Sequence, residues 1–384
     1  MRVIGRHRTY NLNSMIGRGG EGIIYDAGKN TVAKIYRDVA DGFTRERKLK
    51  KMVEIGLSDK LREFVTWPTD LLYDDYGNFI GFTMRRLESK YLLDTLTEYP
   101  NSDNHPHSGG YSSFWTVSWN LAYIVDALHR NGIVIGDVNE RNIGFKENGE
   151  PVIYDCDSFH ISDEMPCTVS RPEYTPFFLY DALSVGYEKY NGKTFSETSD
   201  DWALAVHIFE LVCNGCHPFA CEIKRGSAAY VPNIPENVHF RKTPFFVYMD
   251  GLRPPSYAPS MGLFPTDIRK LFERAFIGNT ENIPSALEWM VALDRVLESG
   301  FKCVCDKPHH LLPIEYADSS GRICPLCIAK RCIDEERVQN DEYTQYLTVG
   351  KPPSISRVSD YTSHRMSGKD SIIEKAKAML RRRF

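Results

Sequence analysis

Two short apolar stretches that end in acidic and amide residues are the most constraining feature of this chain. Asp137 and Asn142 follow the first stretch, and Asp155 and Asp157 follow the second. The short strands predicted beside these turns would hold the four polar side chains at one edge of a cleft. Carboxylate and amide oxygens bind hard divalent cations. The alternative is that these residues only form turns, and the rest of the chain decides between the two.

A glycine-rich segment near the N-terminus lies between two predicted strands, residues 9–15 and 22–27. It matches G-x-G-x-x-G, but no helix is predicted after it. That argues against a dinucleotide-binding fold, in which the glycines open a helix. The segment instead predicts a hairpin whose backbone N–H groups face phosphates. The residues predicted to contact the nucleotide there are Ile16, Gly17, Gly19, Gly22 and Ile24.

The next predicted strand, residues 31–36, carries one lysine inside an apolar run. Such a lysine often reaches solvent from an apolar surface, but after a glycine hairpin Lys34 is predicted to bind phosphate. Ala33 is expected to line the same nucleotide site. A helix is predicted over residues 44–55, and Glu46 in its first turn is expected to pair with the lysine and fix it.

These motifs occur in the order found in protein kinases, and the resemblance continues through a predicted central helix that begins near Asp200. It covers roughly residues 9–298. Within kinases, the chain is similar to an unusual bacterial group, the YegI-like kinases. The resemblance implies an α+β, two-lobed kinase fold, with a β-rich N-lobe at 1–87 and a helical C-lobe at 88–298.

The resemblance also implies a role for each site residue. Asp137 would be the catalytic carboxylate, and Lys34 would bind the α and β phosphates. The Mg²⁺ (or Mn²⁺) ligands would be Asn142 and Asp155, with Asp157 as a further ligand in place of a glycine. Backbone groups from Arg85 to Leu87 would hydrogen-bond adenine.

Two departures from the kinase pattern lie in the catalytic loop. Gly136 stands where an arginine is usual, so activation by a phosphorylated loop is not expected. Asn139 stands where a lysine often neutralises the transferred phosphate.

Half of the ten cysteines fall between residues 303 and 332, just after the kinase-like region. A Cys-Pro-x-Cys turn aims two thiolates at one point, which predicts a structural zinc site. The expected ligands are Cys303, His309, Cys324 and Cys327, with Cys305 or His310 as alternatives in the first half of the site. Scattered buried cysteines are the other interpretation. The predicted zinc-ribbon-like module spans 299–332, and a linker with a basic terminal helix spans 333–384.

Composition limits the function classes. The net charge of −4 and pI near 6.3 make nucleic acid and anionic membranes improbable partners. No apolar run reaches membrane-spanning length, and the cysteine usage favours a reducing cytoplasm.

The function predicted from sequence is an ATP- and Mg²⁺-dependent serine/threonine kinase acting on a protein. The resemblance adds a PP2C-type phosphatase and a von Willebrand A-domain protein as partners. The first alternative is a pseudokinase scaffold that binds nucleotide weakly and works through the ribbon and tail. A small-molecule phosphotransferase and a nucleic-acid adaptor are less favoured.

Overall fold

The computed structural model describes residues 1–6, 8–38, 42–98, 112–162, 165–167, 171–179, 195–299, 301–302 and 311–312. Strands dominate the first ninety or so residues, and helices dominate the rest. The α+β class predicted from sequence is confirmed. The four expected zinc ligands, their two alternatives and the whole of 333–384 lie outside the described residues.

A seven-stranded antiparallel sheet forms the N-terminal part, in the order β2-β1-β6-β7-β5-β4-β3. Its strands are β1 (Arg2–Gly5), β2 (Thr9–Asn11), β3 (Met15–Arg18), β4 (Gly22–Asp26), β5 (Thr31–Tyr36), β6 (Pro68–Tyr73) and β7 (Phe79–Arg85). The strand predicted over residues 9–15 is therefore two strands, β2 and β3. The predicted glycine hairpin connects β3 to β4.

Strand β5 lies between β4 and β7, so both of its edges are paired. Lys34 lies opposite Ile24 on β4 and opposite Phe82 on β7. Helix α1 (Gly42–Ile55) packs against β6 and β7. Because successive side chains of a strand point to opposite faces, Val32 and Lys34 share one face of the sheet.

The helical part is built on two long, apolar helices, α3 (Ser112–His129) and α4 (Glu197–Val212), which pack against each other. Helix α4 is almost wholly buried, and it begins with a capping box between Ser196 and Ser199. The helices are α2 (Leu93–Thr97), α3 (Ser112–His129), α4 (Glu197–Val212), α5 (Ile234–His239), α6 (Thr266–Ile277) and α7 (Ala286–Ser299). One hydrophobic core runs through both parts of the molecule.

Short strands flank the loops that lie between the seven-stranded sheet and the helical part. A three-stranded sheet has the order β10-β9-β8 and contains β8 (Tyr91–Leu92), β9 (Ile143–Phe145) and β10 (Pro151–Ile153). Its β9–β10 hairpin lies between Asn142 and Asp155 in sequence, where short strands were predicted. Two further antiparallel pairs join β11 (Glu222–Ile223) to β12 (Leu252–Arg253), and β13 (Phe301–Lys302) to β14 (Leu311–Leu312).

In the ranges described above, no helix combines the length and apolarity that crossing a membrane requires.

Candidate active site

A cavity of about 670 Å³ lies beneath the glycine hairpin, between the seven-stranded sheet and the β9–β10 hairpin. Most of the residues predicted to bind nucleotide line it. The lining includes Ile16, Gly17, Gly19, Gly22, Ile24, Lys34, Arg85, Leu87, Asn142, Asp155 and Asp157. Arg86, inside the segment predicted to contact adenine, also lines it. Residues that the sequence did not single out complete the lining: Gly20, Glu21, Val32, Thr66, Met84, Glu88, Arg141 and Tyr154.

Asp137 does not line this cavity itself, but it contacts Asn142, which does, and it is 4% exposed. Asn142 Nδ2 donates to Asp137 Oδ2 at 3.0 Å. The other carboxylate oxygen, Oδ1, is buried without a hydrogen-bond partner among the described residues. Burial raises the pKa of Asp137 to about 6, although the nearby Asn139 amide acts in the opposite direction. Asp137 is therefore a carboxylate that is held by Asn142 and whose pKa of about 6 suits a proton acceptor.

A side chain of helix α4 fixes the backbone that precedes Asp137. Asp200 accepts hydrogen bonds from the backbone N–H groups of Ile135 at 2.7 Å and Gly136 at 2.8 Å. His129 lies 3.0 Å from the same carboxylate. Gly136 has a φ of 78°, and a Cβ there would lie 2.5 Å from Cys167 Cβ. The loop geometry therefore requires glycine at this position.

Asp155 follows β10 in a left-handed backbone conformation, with φ of 56°. Its side chain is 37% exposed and borders the cavity, as does Asn142. Burial, followed by the neighbouring Asp157 carboxylate, raises the pKa of Asp155. The oxygens of Asp155 and Asn142 suit Mg²⁺, which prefers carboxylate oxygen and few protein ligands. The donor set at this end of the cavity therefore fits the predicted cation.

Lys34 is 6% exposed and is held by carboxylates of the loop after β10. Its Nζ lies 2.6 Å from Asp155 Oδ1, and 2.8 and 2.7 Å from the two oxygens of Asp157. Glu21 lies further away, at 3.8 Å. Burial opposes the charge on Lys34, but the Asp157 and Asp155 carboxylates outweigh it and hold the pKa of the ammonium group above its usual value.

Glu46 does not contact Lys34, so the predicted ion pair is not formed. Glu46 Oε1 instead accepts a hydrogen bond from the Tyr73 hydroxyl at 2.7 Å. The face of α1 that is turned inward carries Lys48, Leu49 and Met52, which are buried. Tyr73 lies on β6, so the Glu46 carboxylate is turned toward that strand and does not reach Lys34.

Ala33 also lies away from the cavity, contrary to the prediction. It is fully buried in a second hydrophobic cluster, with Val3, Tyr10 and Leu72 among its members. Val32 lines the cavity in its place. The signal was present in the sequence, because the period of two along a strand puts Val32, and not Ala33, on the face of Lys34.

The glycine hairpin leaves space where side chains would project. A Cβ built at Gly17 or Gly20 would meet nothing within 4 Å. Gly22 is different, since its Cβ would lie 2.8 Å from the Ile35 carbonyl oxygen of the neighbouring strand. Two glycines therefore leave room for a ligand above the cavity, and Gly22 is required by strand packing.

No group of three or more His, Cys, Asp or Glu side chains is arranged to bind a metal ion in the part of the chain that the structure describes. The predicted zinc ligands fall outside that part, so the zinc site stays a prediction.

No protein-family model matches the chain. In sequence, it is similar to protein kinase YegI of Escherichia coli strain K12, with 28% identity over 333 residues, covering 82% of this chain and 48% of the relative. Protein kinase YegI of Escherichia coli O157:H7 is also 28% identical, over 329 residues, covering 81% and 48%. The chain thus spans about half the length of the curated relatives it matches.

In structure, the chain is similar to a rhoptry kinase from Toxoplasma gondii whose crystal structure is known. The TM-score is 0.51, and the match covers 77% of this chain and 84% of that one, at 14% identity. At this identity the likeness shows the fold alone, and it confirms the predicted kinase-like fold. The chain is thus similar in sequence to protein kinase YegI, and it has a protein-kinase-like fold.

Proposed function

We propose that the chain is an ATP- and Mg²⁺-dependent protein kinase that phosphorylates serine or threonine hydroxyl groups. The observation that carries this proposal is the state of Asp137. One of its oxygens is held by Asn142 and the other has no partner among the described residues. With a pKa of about 6, the carboxylate is mostly ionised near neutral pH and can accept a hydroxyl proton.

The chemistry is a transfer in which Asp137 orients the acceptor hydroxyl and takes its proton. The hydroxyl oxygen forms a bond to the γ-phosphorus, and the bond from that phosphorus to the β–γ bridging oxygen breaks, which releases ADP. Lys34 would bind the α and β phosphates, with N–H groups of the glycine hairpin above them. Asn142 and Asp155 would hold Mg²⁺ or Mn²⁺, which neutralises phosphate charge when bound.

The acceptor class and the partners follow from the resemblance alone. Relatives named as protein kinases support a protein substrate. A PP2C-type phosphatase and a von Willebrand A-domain protein are proposed partners, and the cytoplasm is the proposed location.

A transfer assay with γ-labelled ATP and Mg²⁺ tests this function. Wild-type protein should label itself or a co-purified protein, and acid hydrolysis should release phosphoserine or phosphothreonine. Asp137→Ala should abolish the labelling while ATP still binds, because the carboxylate acts on the hydroxyl and not on the nucleotide. Labelling that persists in Asp137→Ala would contradict the assignment, and label on another amino acid would contradict the acceptor class.

A nucleotide-binding scaffold without transfer is the second candidate. Lys34 is ion-paired with Asp155 at 2.6 Å, so the proposed phosphate ligand already neutralises the proposed metal ligand. A scaffold would bind ATP in calorimetry and transfer no label with either Mg²⁺ or Mn²⁺.

We also propose a structural zinc ion bound by Cys303, His309, Cys324 and Cys327. Strands β13 and β14 pair Lys302 with Leu311, so the chain leaves and returns at the same place on either side of residues 303–310. The Cys-Pro-x-Cys spacing of Cys324 and Cys327 supports this proposal.

A further inference from the structure

Helix α1 presents a lysine to the site where the kinase resemblance implies a glutamate. Lys48 is 8% exposed and its Nζ donates to the Pro166 carbonyl oxygen at 3.3 Å. Arg45, one turn earlier, lies 4.6 Å from the centre of the Tyr36 ring. The inward face of the helix is therefore basic, and it offers Lys34 no carboxylate.

Asp157 supplies the missing carboxylate from the other side of the cavity. Its oxygens accept three hydrogen bonds: two from Lys34 and one from the Tyr36 hydroxyl at 2.6 Å. A carboxylate offers about four lone-pair positions, so most of its capacity is used. Its side chain is 6% exposed, against 37% for Asp155.

The two carboxylates thus differ in what they can reach. Asp155 keeps an exposed edge toward the cavity, whereas Asp157 is turned into the sheet toward Lys34 and Tyr36. An ammonium group that contacts both oxygens of one carboxylate is held more firmly than one that contacts a single oxygen. Lys34 must itself be fixed if it is to position the nucleotide phosphates for transfer.

We propose that Asp157 is the positioning residue of Lys34, taking the place of the helix glutamate, and that it is not a metal ligand. The inference rests on the proposed function and deepens it. In this chain the negative charge that orients the phosphate-binding lysine has moved from helix α1 to the loop after β10. Lys48 occupies the vacated face of the helix.

Two matched substitutions separate this proposal from its alternatives. Asp157→Asn and Glu46→Gln each exchange one carboxylate for an amide of nearly the same shape. Asp157→Asn should lower kcat/KM for ATP by about 100-fold, as expected when a phosphate ligand is misplaced, and Glu46→Gln should change it less than about twofold. The Mg²⁺ concentration for half-maximal activity should stay the same in both. A clear rise in that concentration in Asp157→Asn would show a metal ligand and overturn the proposal.

A readout that does not need catalysis distinguishes failure of this proposal from failure of the proposed function. An adenosine that carries a sulfonyl fluoride labels a lysine only as the neutral amine. Because Asp157 stabilises the ammonium form of Lys34, its loss should shift the pH profile of Lys34 labelling downward by about one unit or more. Glu46→Gln should leave the profile in place. An unmoved profile in Asp157→Asn, or an equal shift in both variants, would overturn the proposal.

Tyr36→Phe keeps the test valid if Asp157→Asn does not fold. It removes one of the three hydrogen bonds on Asp157 and leaves both charges in place. Its labelling profile should move in the same direction by a smaller amount. A profile identical to that of the wild type would count against the role assigned to Asp157.

Discussion

At the scale of single residues, the site separates two acidic groups by their surroundings. Asp137 is buried, and its pKa is raised to about 6. Asp155 is more exposed and is tied to a lysine at 2.6 Å. One carboxylate therefore suits proton acceptance and the other suits cation binding, a division that environment alone produces.

The pH dependence of transfer should report Asp137. The residue accepts a proton only when it is ionised, so activity should fall as the pH decreases through about 6. Below that value kcat/KM for the acceptor should drop about tenfold per pH unit. Steady-state rates measured between roughly pH 5 and 8 give this acidic limb of the pH–rate profile. A limb centred near the ordinary carboxylate pKa of about 4 would contradict the assignment.

Asp155→Asn should abolish Mg²⁺-dependent ATP binding and leave the fold intact. The amide lacks the charge that a hard cation prefers. The fold should persist because the buried Lys34 keeps its ion pair with Asp157. Calorimetric titration with Mg-ATP measures the effect. Asp75→Asn, on an exposed turn, is the matched control and should bind as the wild type does. Unchanged affinity in Asp155→Asn would remove this residue from the metal site.

At the scale of elements, the pairing of strands and the packing of helices decide where the predicted site residues lie. Lys34 is placed by a strand whose edges are both paired, and Asn142 and Asp155 are placed by the two ends of a hairpin. These positions follow from short-range patterns, and they could be read from sequence. The contact of Glu46 could not, because its partner Tyr73 lies on β6, 27 positions away in sequence.

The glycine hairpin offers a paired test at the same scale. Gly22→Ala would push a Cβ to 2.8 Å from the Ile35 carbonyl oxygen, and overpacking of this kind costs about 1–3 kcal/mol. Gly20→Ala meets nothing within 4 Å and should leave the free energy of unfolding unchanged. Chemical denaturation of the two variants gives both values. Equal stability would mean that the hairpin adjusts freely at Gly22.

At the scale of the whole molecule, the order of the kinase motifs was sufficient to predict the fold. The additional hairpin β1–β2 at the edge of the sheet was not predicted, since one strand was assigned over residues 9–15. The role of Asp157 was not predicted either. Its two partners, Lys34 and Tyr36, are more than 120 positions away in sequence, and contacts at such distance have no local signature.

The zinc proposal also belongs to this scale. Cys324→Ser with Cys327→Ser should remove about one zinc ion per chain and unfold the segment around it, because so short a segment buries too little apolar surface to be stable without metal. ATP binding should persist, since the kinase-like region has its own core. Elemental analysis and calorimetry measure the two outcomes. Zinc well below one equivalent in the wild type, purified without chelator, would contradict the site.

The most direct test of the account compares binding and transfer in one variant, Asp137→Asn. Its amide can still accept the hydrogen bond from Asn142, but it cannot take a proton from the acceptor. The dissociation constant for Mg-ATP should stay within about twofold of the wild type, and single-turnover transfer of the γ-phosphoryl group should fall by about 100-fold or more. Transfer at the wild-type rate, with ATP bound normally, would contradict the role of Asp137 and with it the proposed kinase mechanism.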